Sequence, residues 1–134
     1  MPPEAGRMLL IDPRREDPLR FLQLDLVWPF WFHPRAQRNC LAFARAAYTI
    51  EVLKLNHRDT LLNARESAYR SYRAHLTEYL EARDKRAATD HLQQLVDAFQ
   101  RMNQRTVWHE MQRQQGQIAE LRALFERAPE ALSW

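Results

Sequence analysis

The chain has 134 residues, a formal net charge of +3, 46% hydrophobic and 28% charged residues, a composition that excludes intrinsic disorder and suits one folded domain. The basic excess is too small to point to nucleic acid by itself, and a single cysteine, Cys40, excludes an internal disulfide. The most apolar run, Leu26–Phe32, is far shorter than the ~20 residues of a membrane-crossing helix, and the N-terminus has no basic segment leading into a long apolar one, so the expectation is a cytoplasmic protein without a signal peptide.

In chain order, residues 1–34 read as an N-terminal arm. Asp12-Pro13 and Asp17-Pro18 are turn or helix-start signals, with Asp as cap and Pro at the first position. Leu19 to Val27 reads as a short helix; the alternation Leu22-Gln23-Leu24-Asp25-Leu26 fits a strand equally well, but no partner strand is visible elsewhere, which favours helix. The arm ends in Trp28-Pro29-Phe30-Trp31-Phe32-His33-Pro34. Two readings compete for its rings: a satellite core plugging one end of the fold, or an exposed anchor for a protein partner or a membrane interface, formed by Trp28, Phe30, Trp31 and Phe32 with the cations Arg35 and Arg38 beside them.

Between Pro34 and Pro129 there is no proline and one glycine, Gly116. A stretch this free of breakers and rich in Ala, Leu, Arg, Glu and Gln predicts long helices. Leu41, Tyr48, Leu55, Leu62, Tyr69 and Leu76 recur at seven-residue spacing, with a companion row at Ala44, Val52, Tyr72, Tyr79 and Leu80, a coiled-coil-like seam. The polar string Asn56-His57-Arg58-Asp59-Thr60 interrupts it, so the helix either runs unbroken from about 35 to 83 or restarts with Asn56 or Asp59 as cap; the heptad phase, which carries across the string, favours continuity. A turn follows at 84–89, with Thr89 or Asp90 as cap and Asp90 and Gln93 at capping-box spacing. A second helix then runs to about Arg127, stopped by Pro129, with Leu92, Val96, Phe99, Met102, Val107, Met111, Ile118, Leu121 and Phe125 as its apolar stripe.

These elements predict an all-α fold: an antiparallel long-helix hairpin over 35–134, coiled-coil-like, with the 1–34 arm completing a three-helix bundle, or dimerising into a four-helix one. A hairpin has too little chain to cover both faces of its seam, so the expected function is a non-enzymatic interaction module (adaptor, chaperone-like or accessory subunit) with a homo-oligomer or protein partner. The alternative is a nucleic-acid-associated protein using Arg35, Arg38, Arg45, Lys54 and Arg58, since the basic excess lies within residues 1–58. Tyr69, Tyr72 and Tyr79 interleaved with Arg65, Arg70, Arg73 and Arg83 suggest a stacking clamp, although seam tyrosines are more often core. A third reading places a ligand pocket between helices at Tyr48, Tyr72 and Trp108.

No catalytic residue, metal ligand or cofactor is assigned. The histidines, His33, His57, His75, His91 and His109, form no His-Glu-x-x-His or paired Glu-x-x-His pattern, although His75 and His91 fall close to the turn. Cys40 sits near a helix start beside Arg38, a setting that activates thiols, but a small buried thiol is the plainer expectation. The serines lack a nucleophile elbow and the chain lacks glycines for a phosphate loop.

Overall fold

The computed structural model describes residues 9–37 and 40–134. It is mostly helical, with five helices and one two-stranded sheet among these residues. The chain groups into two compact units, residues 1–66 and 67–134.

In the first unit, Asp17 caps a single 3-10 turn, Pro18–Arg20, by accepting from Leu19 N at 3.0 Å, with Pro18 at the position where a missing N–H costs nothing. Next comes a strand, β1 (Leu22–Leu24), antiparallel to β2 (Phe32–Pro34), in the register Leu22↔Pro34, Gln23↔His33, Leu24↔Phe32. The helix expected over Leu19–Val27 is therefore a strand over its middle part. Its partner lies inside the aromatic segment, only eight residues on, where Pro29 and Pro34 had hidden it. The alternation in β1 is the real signal: Leu22 and Leu24 are buried and Gln23 between them is not.

Helix α1 (Leu41–Val52) packs Ala46 with Ile11 and Leu22, backed by Phe21, Phe32, Ile50 and Leu55. Thr49 bridges this layer: its hydroxyl accepts from Ile11 N at 3.1 Å and donates to Arg45 O at 2.8 Å. Helix α2 (Asp59–Asp84) follows after a break. The unbroken helix from about 35 to 83 is thus two, and α2 spans about 39 Å at ~1.5 Å per residue instead of the more than 70 Å an uninterrupted rod would reach. The break is a complete Schellman ending. Leu55 N returns to Ile50 O at 3.1 Å and Lys54 N to Glu51 O at 3.2 Å, with Lys54 at φ 51 in the left-handed position where glycine is usual. The phase of the helix is reset there, and of the first half of the heptad row Leu55 packs on the first unit's core while Leu41, Ala44 and Val52 face outward. Leu41 is 69% exposed and Val52 is exposed, whereas Leu62, Tyr69, Tyr72, Leu76 and Leu80 are buried.

In the second unit α2 ends in a second Schellman motif, Ala87 N to Ala82 O and Arg86 N to Arg83 O, both 3.0 Å, with Arg86 at φ 58. The turn falls where the sequence places it, and α3 (Thr89–Gln100) begins at Thr89, but its N-cap is Ala88, without a side-chain cap bond. Gln93 reaches forward to Asp97 at 2.9 Å and not back to a cap. The single helix expected to Arg127 is three: α3, α4 (Arg105–Gln114) and α5 (Ala119–Arg127). Gln104, at φ 59, turns the chain between the first two. The last stops before Pro129, which opens a 3-10 turn, Pro129–Ser133.

The core of this unit is aromatic. Trp108 lies 4.4 Å from Phe99, 5.4 Å from Tyr72 and 5.5 Å from Phe125, centroid to centroid, and Tyr79 meets Trp134 edge-on at 4.8 Å. Leu76, Leu80, Met111 and Leu121 fill the space around them and are fully buried; each such side chain contributes about 1.5–3 kcal/mol.

Candidate functional site: an exposed aromatic turn

The segment between β1 and β2 divides its apolar side chains between two environments. Asp25 N donates to Trp31 O at 2.9 Å, extending the ladder, and Phe30 N closes a tight turn onto Val27 O at 2.8 Å around a cis Trp28–Pro29 bond. Phe30 adopts a left-handed φ of 56 and is buried at 3% exposure. Val27, Trp28 and Trp31 stand outside, at 68%, 55% and 43% exposure. Of the seven large hydrophobic side chains exposed among the described residues, six lie in the first unit: these three with Leu41, Val52 and Leu53. An exposed large aromatic is costly to keep in water, so two tryptophans on one turn stand out against the buried ring cluster of the second unit.

The turn is held from beneath. Arg65, 7% exposed, donates to Phe30 O at 2.9 Å and to Leu55 O at 2.6 Å, and its guanidinium lies 4.6 Å above the Phe32 ring. Burial lowers the Arg65 pKa, and the two carbonyls and the ring take the place of lost water. Asn56 clamps the outer edge of β2: its amide oxygen accepts from Phe32 N at 2.8 Å and its amide nitrogen donates to Phe32 O at 3.0 Å. A single side chain thus does what a third strand would do for that residue. On the far face His33 and Asp25 are 2.7 Å apart. A left-handed phenylalanine costs of order 1–3 kcal/mol and persists only where the surroundings over-determine it; Arg65 and Asn56 are those surroundings.

The anchor residues named from the sequence therefore separate. Trp28 and Trp31 are exposed, Phe30 is core, Phe32 is half-buried under Arg65, and Arg35 is exposed with its guanidinium on Leu19 O at 3.1 Å. Arg38 lies outside the described residues. The five-residue basic face does not stand as a set: Arg45 is turned inward to both carboxylate oxygens of Glu16, at 2.6 and 2.7 Å, and over the Phe21 ring, while Lys54 and Arg58 are exposed at the break between helices. The tyrosines proposed as a clamp spend their hydroxyls internally, Tyr69 on Glu120, Tyr72 on Asn103 O at 2.7 Å and Tyr79 on Glu130 at 3.0 Å. Tyr72 and Trp108 stack in the closed core of the second unit, and Tyr48 belongs to the first.

Cys40 is exposed and not buried: its sulfur caps α1, accepting from Phe43 N at 3.4 Å and donating to Gln37 O at 3.0 Å. His75 folds back onto Ser71 O at 2.8 Å. Among the described residues no three His, Cys, Asp or Glu side chains gather to hold a metal, and no helix is long and apolar enough to cross a membrane. Arg65 and Asn56 were missed as organisers of the site; the available signal was an arginine and an asparagine on or beside the heptad row, positions that side chains of that kind occupy when they are satisfied by backbone groups.

Comparisons of the chain with models of protein families, with curated proteins and with solved structures return no match.

Proposed function

We propose that this protein is a non-enzymatic interaction module, an adaptor or accessory subunit, whose first unit presents Val27, Trp28 and Trp31 to a protein partner. One observation carries the reading: an apolar turn that is exposed at its outer side chains and fastened through Phe30, Arg65 and Asn56 beneath. A pre-fastened tryptophan binds without the entropy cost of ordering a loop, and tryptophan is enriched among the residues that dominate interface energies. Arg35, exposed at the end of β2, suits an acidic rim on the partner. We retain the hairpin reading for α2 and α3 only, where Tyr72 meets Phe99 at 5.1 Å across the turn, as a scaffold. A lone cysteine fits the reducing cytoplasm as the place of action.

The test is photo-cross-linking from position 28 in the native host, compared with a Trp28→Ser/Trp31→Ser variant in competition. The expected result is one protein captured from position 28 and displaced by the unlabelled wild type but not by the double variant, whose circular dichroism matches wild type. Capture of nothing above background, or equal competition by the double variant, overturns the reading.

A further inference from the structure

Helix α1 is apolar on the side that points away from its own core. Its inner side carries Ala46, packed with Ile11 and Leu22, and Thr49, bonded to Ile11 N. On the outer side lie Leu41, Ala44, Tyr48 and Val52, at the i, i+3, i+7, i+11 spacing of one helical stripe. Leu41, Ala44 and Val52 are exposed and Tyr48 is half-buried. The charges of the helix leave this stripe nearly neutral. Arg45 turns inward to Glu16 at 2.6 Å, and Glu51 stands at one end, exposed, with its Oε2 3.7 Å from His57 Nε2. On the segment that Thr49 and Arg45 tie to α1, Asp12 holds Arg14 at 3.4 Å and Arg15 at 3.9 Å, so these charges are matched within the chain.

The stripe is complementary to itself when reversed. A second α1 laid antiparallel, with the two-fold axis crossing near residue 46, sets Tyr48 over Ala44 of the second copy and Ala44 under its Tyr48, large against small at both levels. Leu41 then meets the level of Glu51 and Val52. Val52 covers it there, and Glu51 comes beside the N-terminal end of the second helix, the positive end of its dipole, where an acid is favoured. The first turn of α1 has no acidic residue and its last turn no basic one, so Glu51 lies at the unfavourable end of its own helix and at the favourable end of the second. The approach needs no contact broken, since His57 is engaged through Oε2 of a side chain that is 75% exposed. A parallel copy would stack Tyr48 on Tyr48, leave a gap between the two Ala44 and set Glu51 on Glu51. An unrelated helix would have to bring small, large and acidic positions in this order by chance; a copy of this chain has them already, as a two-fold interface requires.

We infer that the outer face of α1 is covered by the same face of a second copy, giving an antiparallel two-fold dimer through Leu41, Ala44, Tyr48 and Val52. A contact one 12-residue helix long lies at the small end of specific interfaces. The dimer is therefore reversible, with a dissociation constant on the order of tens of micromolar, and the chain is a monomer in dilute unfolding measurements. The stripe is on the side of α1 opposite the sheet that carries the aromatic turn, and the dimer does not depend on the interaction proposed there.

The experiment is sedimentation velocity on the full chain across a concentration series reaching the millimolar range. Wild type is expected to dimerise. Ala44→Tyr sets ring on ring and Tyr48→Ala sets alanine on alanine, each twice per dimer, and each should raise the dissociation constant about tenfold or more. Mixing these two single variants should restore a dimer, because every level again holds one large and one small side chain; the double variant A44Y/Y48A should dimerise for the same reason. Leu41→Glu should weaken the dimer more than Leu41→Lys does, since position 41 faces Glu51 of the second copy. Trp28→Ser/Trp31→Ser should leave the mass unchanged. Circular dichroism establishes that each variant is folded, and the pair at the exposed position 41 carries the test where Tyr48→Ala is not. A wild type that stays monomeric throughout, single variants that dimerise as wild type does, a loss that neither mixing nor the double variant repairs, or equal effects of Glu and Lys at position 41 overturns the inference. A dimer abolished by the tryptophan substitutions overturns it as well.

Discussion

The guanidinium of Arg65 donates to the carbonyl oxygen of Phe30 at 2.9 Å across 35 positions of sequence. Its second arm takes Leu55 O at 2.6 Å, so one buried cation satisfies two backbone groups that have turned away from water. Removing the side chain leaves both carbonyls without that donor. Arg65→Ala is expected to lower the unfolding free energy by about 2–4 kcal/mol, measured by urea denaturation. Arg65→Lys should recover less than half, because an ammonium cannot fork to two carbonyls and stack on the Phe32 ring at once.

The heptad row separates into a true half and a false half, and two leucines seven-residue multiples apart test it. Leu76 is fully buried and Leu41 is 69% exposed. Leu76→Ala is expected to cost about 2–5 kcal/mol, and Leu41→Ala to stay within about 0.5 kcal/mol of wild type. Equal losses at the two positions would show that the seam continues through α1.

Lys54 and Arg86 close their helices in the left-handed conformation, at φ 51 and 58. A side chain pays for the left-handed region with a Cβ contact that glycine does not make. Lys54→Gly and Arg86→Gly are therefore expected to raise stability by up to about 1 kcal/mol in spite of the greater freedom glycine gives the unfolded chain. Thermal unfolding of each variant measures this, and a fall in stability at both sites would contradict the Schellman assignment.

Three tyrosines share a perturbation with one sign. Burial raises the pKa of Tyr69, with the hydrogen bond to Glu120 adding to it; burial raises Tyr72; and burial with the Glu130 hydrogen bond raises Tyr79. Each folded value lies above the ordinary value near 10. The stability these groups contribute is thus fully present below about pH 10 and is lost as pH rises from there through the folded values. The tyrosinate absorbance of the native protein should lag behind that of the chain in denaturant. Tyr69→Phe should flatten the loss of stability above pH 10.

The difference between what could and could not be read from the chain has a physical basis in these same residues. Periodicity reports which face of an element is apolar, so Leu62 through Leu80 were legible as a core stripe, while the alternation of Leu22 and Leu24 fitted a strand as well as a helix and was read as helix for want of a visible partner strand. The turn at 85–88 and the stop at Pro129 were legible because they rest on local chemistry. The breaks at Lys54 and Gln104 were hidden because each uses a residue with no intrinsic preference for the left-handed region; with 2 glycines in the chain, the customary marker was missing. A heptad phase that matched across residues 53–58 by coincidence then favoured a rod that is not there.

By itself the sequence determined the helical character of 41–127, since it follows from local spacing and breaker content, whereas the strand over Leu22–Leu24 needed its partner, Phe32–Pro34, to be told from a helix. Only the tertiary structure decided which of the aromatics between 28 and 32 face water. That choice rests on Arg65 and Asn56, which reach the turn from 35 and 24 positions away, and no local pattern encodes a hydrogen bond between residues so far apart along the chain.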